Sequence, residues 1–193
     1  MKYELERIFK QHAITGICYN SKEIKSGQAF FAIAGTKLDG NDFIEEALAN
    51  GAKIVVSDSK LYIYNKEKNS QIPNGLIIYV DDIRAALSQA ASILYPNLPN
   101  NLIAVTGTNG KTSVVAYCKQ LLALLNQRSA SVGTLGVDCS DIGVNKLFED
   151  KTYKTLTTPD IVSFRRLMNS LANNNIDYTI FEASIHGLAQ NRL

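Results

Sequence analysis

The stretch LIAVTGTNGKTSVVAYCKQLLALLNQ, residues 102–127, sets a short apolar run ahead of a long helical pattern, with glycines, hydroxyls and one lysine between them. Leu102 to Val105 read as a buried strand. From Lys111 onward, Val114, Val115, Cys118, Leu121, Leu122 and Leu125 fall on one face of a helix. In the turn, Gly107 and Gly110 let the backbone bend tightly and bring several N–H groups toward one point, where the positive end of the helix dipole is also aimed. Such a nest binds a phosphate chain. Lys111 reaches the outer phosphates of a nucleotide, and the Thr112 hydroxyl ligates a magnesium ion bridging them. The spacing is G-x-x-G-K-T, and Val105 stands where the longer Walker pattern has its first glycine. The plainer alternative is a strand-to-helix turn with a solvated lysine; the flanking strand and helix favour the phosphate loop.

The same alternation runs outward in both directions. Before the loop, AFFAIAG (29–35), KIVVSD (53–58) and GLIIYV (75–80) read as strands. NDFIEEALANGA (41–52) reads as a helix with Asp42 as cap, Glu45 three residues later and Gly51 at its close. Asp81 or Asp82 caps a helix through IRAALSQAASILY (83–95). After the loop, SASVGTLG (129–136) reads as a strand, Thr158 and Pro159 as the N-cap and first residue of a helix through DIVSFRRLMNSLANN, and YTIFEAS (178–184) as the last strand. YNKEKNSQ (64–71) reads as an exposed loop. Strands alternate with helices, so the class is α/β. YPNLPNN (95–101) concentrates prolines and asparagines, which places a division there: one domain over 1–98 and a second over 99–193.

Composition narrows the function classes. Twenty basic and 18 acidic residues are scattered without a basic stripe, which argues against a nucleic-acid partner. No segment approaches a membrane span, and the N-terminus lacks the apolar core of a signal peptide. Cys18, Cys118 and Cys139 are odd in number and far apart, which fits a reducing cytoplasm. Glu182, at the end of an apolar strand, faces the crevice where α/β proteins bind ligands, in reach of a magnesium ion beside Thr112; the alternative is a surface glutamate that ends the strand. His186 follows without an assignable acid partner and stays outside the catalytic set.

Several separated stretches together resemble the Mur ligases, and within them the MurE branch, which adds the third amino acid of the peptidoglycan stem. YNSKEIKSGQAFFAIAGTKLDGNDFIEEALANGAKIVVSD (19–58) resembles the uridine-nucleotide-binding first domain, a pattern shared with the MurF branch. GTNGKTS resembles the ATP loop of the central domain, TTPD (157–160) a substrate-binding threonine pair, and EASIHGLAQNRL (182–193) the Glu-x-Ser-x-His-Gly-Leu-x-Gln-x-Arg segment; the last two point to MurE.

The resemblance implies a small first α/β domain followed by an incomplete P-loop domain. It implies that Tyr19, Ser21, Thr36, Lys37 and Leu38 contact the UDP part, and that Gly107, Thr108, Asn109, Gly110, Lys111, Thr112 and Ser113 bind ATP. Thr157, Thr158, Ser184, Gln190 and Arg192 would contact UDP-N-acetylmuramoyl-L-Ala-D-Glu, and Thr112 with Glu182 would hold Mg2+. Lys111 is the catalytic residue of the set. A diamino acid, meso-diaminopimelate or L-lysine, is the implied second substrate. Each role has a plainer counterpart: Thr158 as a cap, Ser21 as a turn residue, Arg192 as an exposed charge. The sequence departs from the family pattern at Asn20 for aspartate, Lys22 for arginine and Gln28 for aspartate, and Lys22 lacks the bidentate fork of arginine. The family's third domain and second metal-ligand set are not in these 193 residues, so the expectation is a chain inactive by itself. The rival expectation is a short paralogue that binds UDP-muramoyl precursors or nucleotides without catalysis.

Overall fold

The computed structural model describes residues 2–35, 38–59, 76–141 and 159–184. The chain divides into two compact units, Met1–Leu94 and Tyr95–Leu193. The division falls ahead of Tyr95 and not after Leu98, because the proline-rich stretch belongs to the second unit: the Asn97 amide N–H donates to Asn169 Oδ1 at 3.0 Å and its side chain donates to Asn173 Oδ1 at 2.8 Å.

In the first unit the described order is α1 (Lys2–Gln11), β1 (Gly16–Cys18), β2 (Gln28–Phe31), α2 (Ile44–Ala49), β3 (Ile54–Ser57), β4 (Leu76–Tyr79) and α3 (Ile83–Leu94). The strands form one parallel sheet in the order β1-β2-β3-β4. Parallel strands need crossovers that cover the faces, which is why β2 and β3 are apolar at nearly every position and buried. Phe30, Ile44, Ala47 and Val55 lie in one core cluster, and α1 packs against α3. Helix α1 and strand β1 have no counterpart in the sequence reading, which took the N-terminus only as lacking a signal peptide.

One capping expectation changes here, and one left between two residues is decided. Asp39, not Asp42, caps the entry to α2: its carboxylate accepts from the Asn41 N–H at 2.9 Å and opens a 3-10 turn at Gly40–Phe43 before the helix proper. Asp82 caps α3, accepting from the N–H groups of Arg84 and Ala85. Gly51 closes α2 at φ 101°, a left-handed position where glycine carries no steric penalty.

The second unit runs β5 (Asn101–Val105), α4 (Lys111–Leu124), β6 (Ser129–Gly133), β7 (Gly136–Cys139), α5 (Ile161–Asn173) and β8 (Tyr178–Glu182). The sheet order is β5-β8-β6-β7, with β5, β8 and β6 parallel and β7 antiparallel to β6. SASVGTLG is therefore a strand and the turn of a hairpin, with Gly136 at φ 89°. The core lies under α5, where Leu167, Met168 and Leu171 pack against β6 and β8, and Phe164 meets Phe181 edge-on at 5.0 Å. Asp160 caps α5, accepting from the N–H groups of Val162 and Ser163, in place of the expected Thr158, which lies outside the described residues.

Two burial expectations fail. Strand β5 is an edge strand exposed along most of its length, and the apolar residues assigned to one face of α4 do not share one environment. Val115 alone is buried; Cys118 and Leu122 are half-buried, while Val114, Leu121 and Leu125 are exposed.

Candidate functional site

The second unit gathers its chemistry at the carboxyl ends of β5 and β8. Their register pairs Val105 with Glu182, so the loop leaving β5 starts beside the glutamate that ends β8, and the Ala183 N–H donates to the Val105 carbonyl at 2.9 Å. In the loop, Gly107 has φ 144° and Gly110 φ 79°, both conformations that disfavour a side chain. A Cβ on Gly110 would meet nothing within 4 Å, so the requirement there is conformational, not steric. Gly110 is the N-cap of α4, and the first helical bond runs from the Val114 N–H to its carbonyl.

Lys111 turns back over this loop. Its ammonium donates to the Gly107 carbonyl at 2.7 Å and to the Thr108 carbonyl at 3.3 Å. The lysine therefore staples its own loop and lies where a phosphate chain bound by the loop would take over its protons. Thr112, one residue on, donates its hydroxyl to Glu182 Oε1 at 2.9 Å. Asn109 and Ser113 are exposed at the same loop and helix start.

Glu182 is buried at 2% exposure, and its carboxylate is held from a second side. The Thr134 N–H donates to Oε1 at 2.9 Å and the Thr134 hydroxyl to Oε2 at 3.2 Å. Beside it, Gly133 leaves room that no other residue could: a Cβ there would stand 2.2 Å from Glu182 Oε1. The Gly133–Thr134 pair escaped the sequence reading, which took it as part of a strand. The signal was present as a glycine followed by a hydroxyl residue at a strand end, but the pairing to Glu182 spans 48 positions.

The oxygens of Thr112 and Glu182 are the hard donors a magnesium ion takes, with waters and phosphate oxygens completing the shell. Among the described residues no group of three or more His, Cys, Asp or Glu side chains is arranged to hold a metal. Ser184 follows Glu182 and is half-buried. Thr157, Thr158, Gln190 and Arg192 lie outside the described residues.

The first unit holds a separate cavity of about 330 Å³, lined by Tyr19, Ser21, Lys22, Phe30, Leu38 and Phe43 among others. Three of the residues expected to contact UDP, Tyr19, Ser21 and Leu38, thus share one cavity; Thr36 and Lys37 lie outside the described residues. The departures have local explanations. Asn20 caps the turn after β1, accepting from the Lys22 N–H at 3.2 Å and donating to Glu23 at 2.9 Å. Gln28 accepts from the Lys25 N–H and lies over Gly16, where a Cβ would come within 2.9 Å of its amide.

Comparisons with known proteins agree with this division. Residues 13–95 match the model described as "Mur ligase family, catalytic domain" and residues 105–193 the "Mur ligase middle domain". The chain is similar to the UDP-N-acetylmuramoyl-L-alanyl-D-glutamate--2,6-diaminopimelate ligase of Rickettsia prowazekii, 46% identical over 193 residues, which are all of this chain and 38% of that protein. The enzyme of that name from Bradyrhizobium diazoefficiens is 38% identical over 93% of this chain and 34% of its own length. A solved structure of a ligase of the same name superposes with a TM-score of 0.69 at 27% identity, covering 93% of this chain and 34% of that one. A MurF ligase from Thermotoga maritima in complex with ADP shares the fold, with a TM-score of 0.53 and 21% identity over 90% of this chain and 33% of its own. The chain thus spans little more than a third of the length of the relatives it matches.

Proposed function

Because the chain belongs to the Mur ligase family, we propose that it is the nucleotide-handling part of an ATP-dependent ligase that adds meso-diaminopimelate to UDP-N-acetylmuramoyl-L-Ala-D-Glu. The relatives named above carry that activity in their names, which favours diaminopimelate over lysine. The single observation that carries the reading is the Thr112–Glu182 hydrogen bond at 2.9 Å, set beside a lysine that closes a glycine loop at the start of a helix. A cytoplasmic setting accords with ATP and a UDP-linked substrate, and among the described residues no helix is long and apolar enough to cross a membrane.

A carboxylate is a poor electrophile at neutral pH. Transfer of the γ-phosphoryl group of ATP to the D-glutamate side-chain carboxylate makes an acyl phosphate and releases ADP; the amine of the diamino acid then attacks the carbonyl, and phosphate leaves as the amide forms. Lys111 exchanges its two carbonyl partners for phosphate oxygens and offsets charge as the phosphoryl group moves. Thr112 and Glu182 would hold a magnesium ion, which when bound neutralises charge on the phosphates. Thr134 keeps the Glu182 carboxylate in one orientation, so no reorganisation is needed there. The cavity of the first unit takes the UDP end of the precursor. Ser184, Thr157, Thr158, Gln190 and Arg192 are proposed to contact the rest of it, since hydroxyls and an arginine suit an anionic ligand.

Positioning two substrates in line is worth roughly 7–11 kcal/mol in favourable cases. The relatives devote more than half their length to segments this chain does not match, and the 193 residues by themselves are expected to bind without joining substrates. Isothermal titration of the chain with UDP-N-acetylmuramoyl-L-Ala-D-Glu, and separately with ATP and magnesium, tests the reading. Precursor binding that survives Lys111→Ala, together with ATP binding that does not, is the expected result. Loss of both in a folded Lys111→Ala variant, or ATP binding indifferent to it, contradicts the two-site assignment.

A further inference from the structure

Glu46 takes part in none of the steps above, yet it holds the hydroxyl of a residue that lines the first unit's cavity. Ser21 is 5% exposed; its Oγ–H donates to Glu46 Oε2, and its carbonyl accepts from Asn50 Nδ2 at 3.0 Å. Glu46 lies in α2 and Asn50 is the residue that caps its end, four positions on, so the helix grips the Ser21 turn by side chain and backbone at once. A serine hydroxyl has one proton and two lone pairs, whereas a carboxylate only accepts. The proton is committed to Glu46, and toward the cavity Ser21 has lone pairs alone to offer.

We propose that Glu46 sets the polarity of this cavity: it is a positioning residue that makes Ser21 an obligate acceptor, so that the ligand group seated against Ser21 must be an N–H or O–H donor. Beside the polar Asn20 and Lys22, the walls formed by Phe30, Ile33, Leu38 and Phe43 are apolar and suit a flat heteroaromatic ring. The inference rests on the reading of this cavity as the uridine site. On that reading the donor is the imide N3–H of uracil. Cytosine carries a lone pair at that nitrogen, which would face the lone pairs of Ser21, and the mismatch leaves buried polar groups unpaired. Sequence inspection does not show this, because Ser21 and Glu46 are 25 positions apart and meet only in the fold.

The test is a set of titrations of the full chain with UDP, CDP and N3-methyl-UDP, the last isolating the imide proton, in the unaltered protein and in Glu46→Ala, Glu46→Gln and Ser21→Ala. The unaltered chain is expected to bind UDP about 10- to 100-fold tighter than either analogue. In Glu46→Ala the Ser21 hydroxyl can turn and donate, so CDP binding strengthens and the UDP/CDP ratio falls toward one. Glu46→Gln keeps the volume and adds a donor, so it lowers the ratio less and serves if the alanine variant does not fold. Ser21→Ala removes the acceptor and should also level the three ligands. Equal binding of UDP and CDP by the unaltered chain, with both weakened by Ser21→Ala, overturns the inference and leaves the uridine reading standing. An unchanged ratio in Glu46→Ala with uniform loss of affinity overturns it too, since Glu46 would then only brace the turn. Failure of the folded chain to bind UDP overturns the inference and the uridine reading together.

Discussion

The two units are built from the same kind of sequence, apolar strands alternating with helices, and they finish differently. In the first, β2 and β3 lie inside a four-stranded parallel sheet and are almost wholly buried. In the second, β5 has the composition of an interior strand but lies at the sheet edge, with Leu102 at 38% and Ile103 at 40% exposure. Helix α4 packs one side on β6 and β8 and presents Val114, Tyr117, Leu121 and Leu124 to the surface, a continuous apolar stripe at helical spacing. Apolar pattern marks a strand or helix that is suited to burial; burial itself depends on what polypeptide lies over it. The sites differ in the same way: a cavity with largely apolar walls in the first unit, a charged loop at the end of an edge strand in the second.

The largest test of that contrast is a pair of truncations. Phe31→Ala in β2 removes a fully buried ring and should cost about 3–5 kcal/mol, whereas Leu124→Ala on α4, 79% exposed, should change stability by about 0.5 kcal/mol or less. Amide hydrogen exchange reads the two units separately. A comparable loss from Leu124→Ala would mean that α4 is covered in solution, for instance by self-association, and the contrast would not hold.

A second pair sharpens the account of the charged site. Gly133→Ala puts a methyl group 2.2 Å from Glu182 Oε1, which must shift, and should abolish magnesium-dependent ATP binding while leaving UDP binding intact. Thr134→Val removes only the hydroxyl bond and keeps the backbone one, so its effect should be near 1 kcal/mol. Titration of ATP against magnesium concentration distinguishes them; equal effects would show that Glu182 is held in some other way.

The smallest expected effect concerns Cys139 at the end of β7. Burial, with Asp138 beside it, pushes its thiol from 9.0 up to about 12. The folded state therefore holds this proton more tightly than the unfolded one. The associated stability is present in full below pH 9.0 and is lost as the pH rises from there through about 12. At pH 8 a disulfide reagent should modify the half-buried Cys18 and Cys118 and spare Cys139 until the second unit unfolds. Early modification of Cys139 would place the β6–β7 hairpin among the frayed parts of the unit.

Much of this molecule was legible from residue order because its physics is local. Strands β2, β3, β4 and β8 announce themselves through β-branched and aromatic runs, and the loop of Gly107 to Ser113 through glycines that only a left-handed backbone needs. The cap of α3 could be narrowed to Asp81 or Asp82 because a cap acts within three residues, and the structure selects Asp82. The site around Glu182 was half legible: its place at a strand end pointed to Thr112, but not to Gly133 and Thr134, which reach it only because β6 pairs with β8. Capping of α2 and α5 shifted by a few residues, to Asp39 and Asp160, since several acceptors stood close together and backbone geometry chose among them.

What the sequence by itself determined is the class, most of the order of strands and helices from β2 onward, and the glycine turn between β5 and α4, all consequences of side-chain period and of backbone freedom at glycine. What only the tertiary structure decided is which apolar surfaces are covered and which polar atoms meet. The exposure of β5 and the outer face of α4, the hold of Thr134 on Glu182 and the grip of Glu46 on Ser21 each depend on contacts between segments far apart in the chain. Such contacts are set by strand order and crossover geometry, which no local pattern encodes.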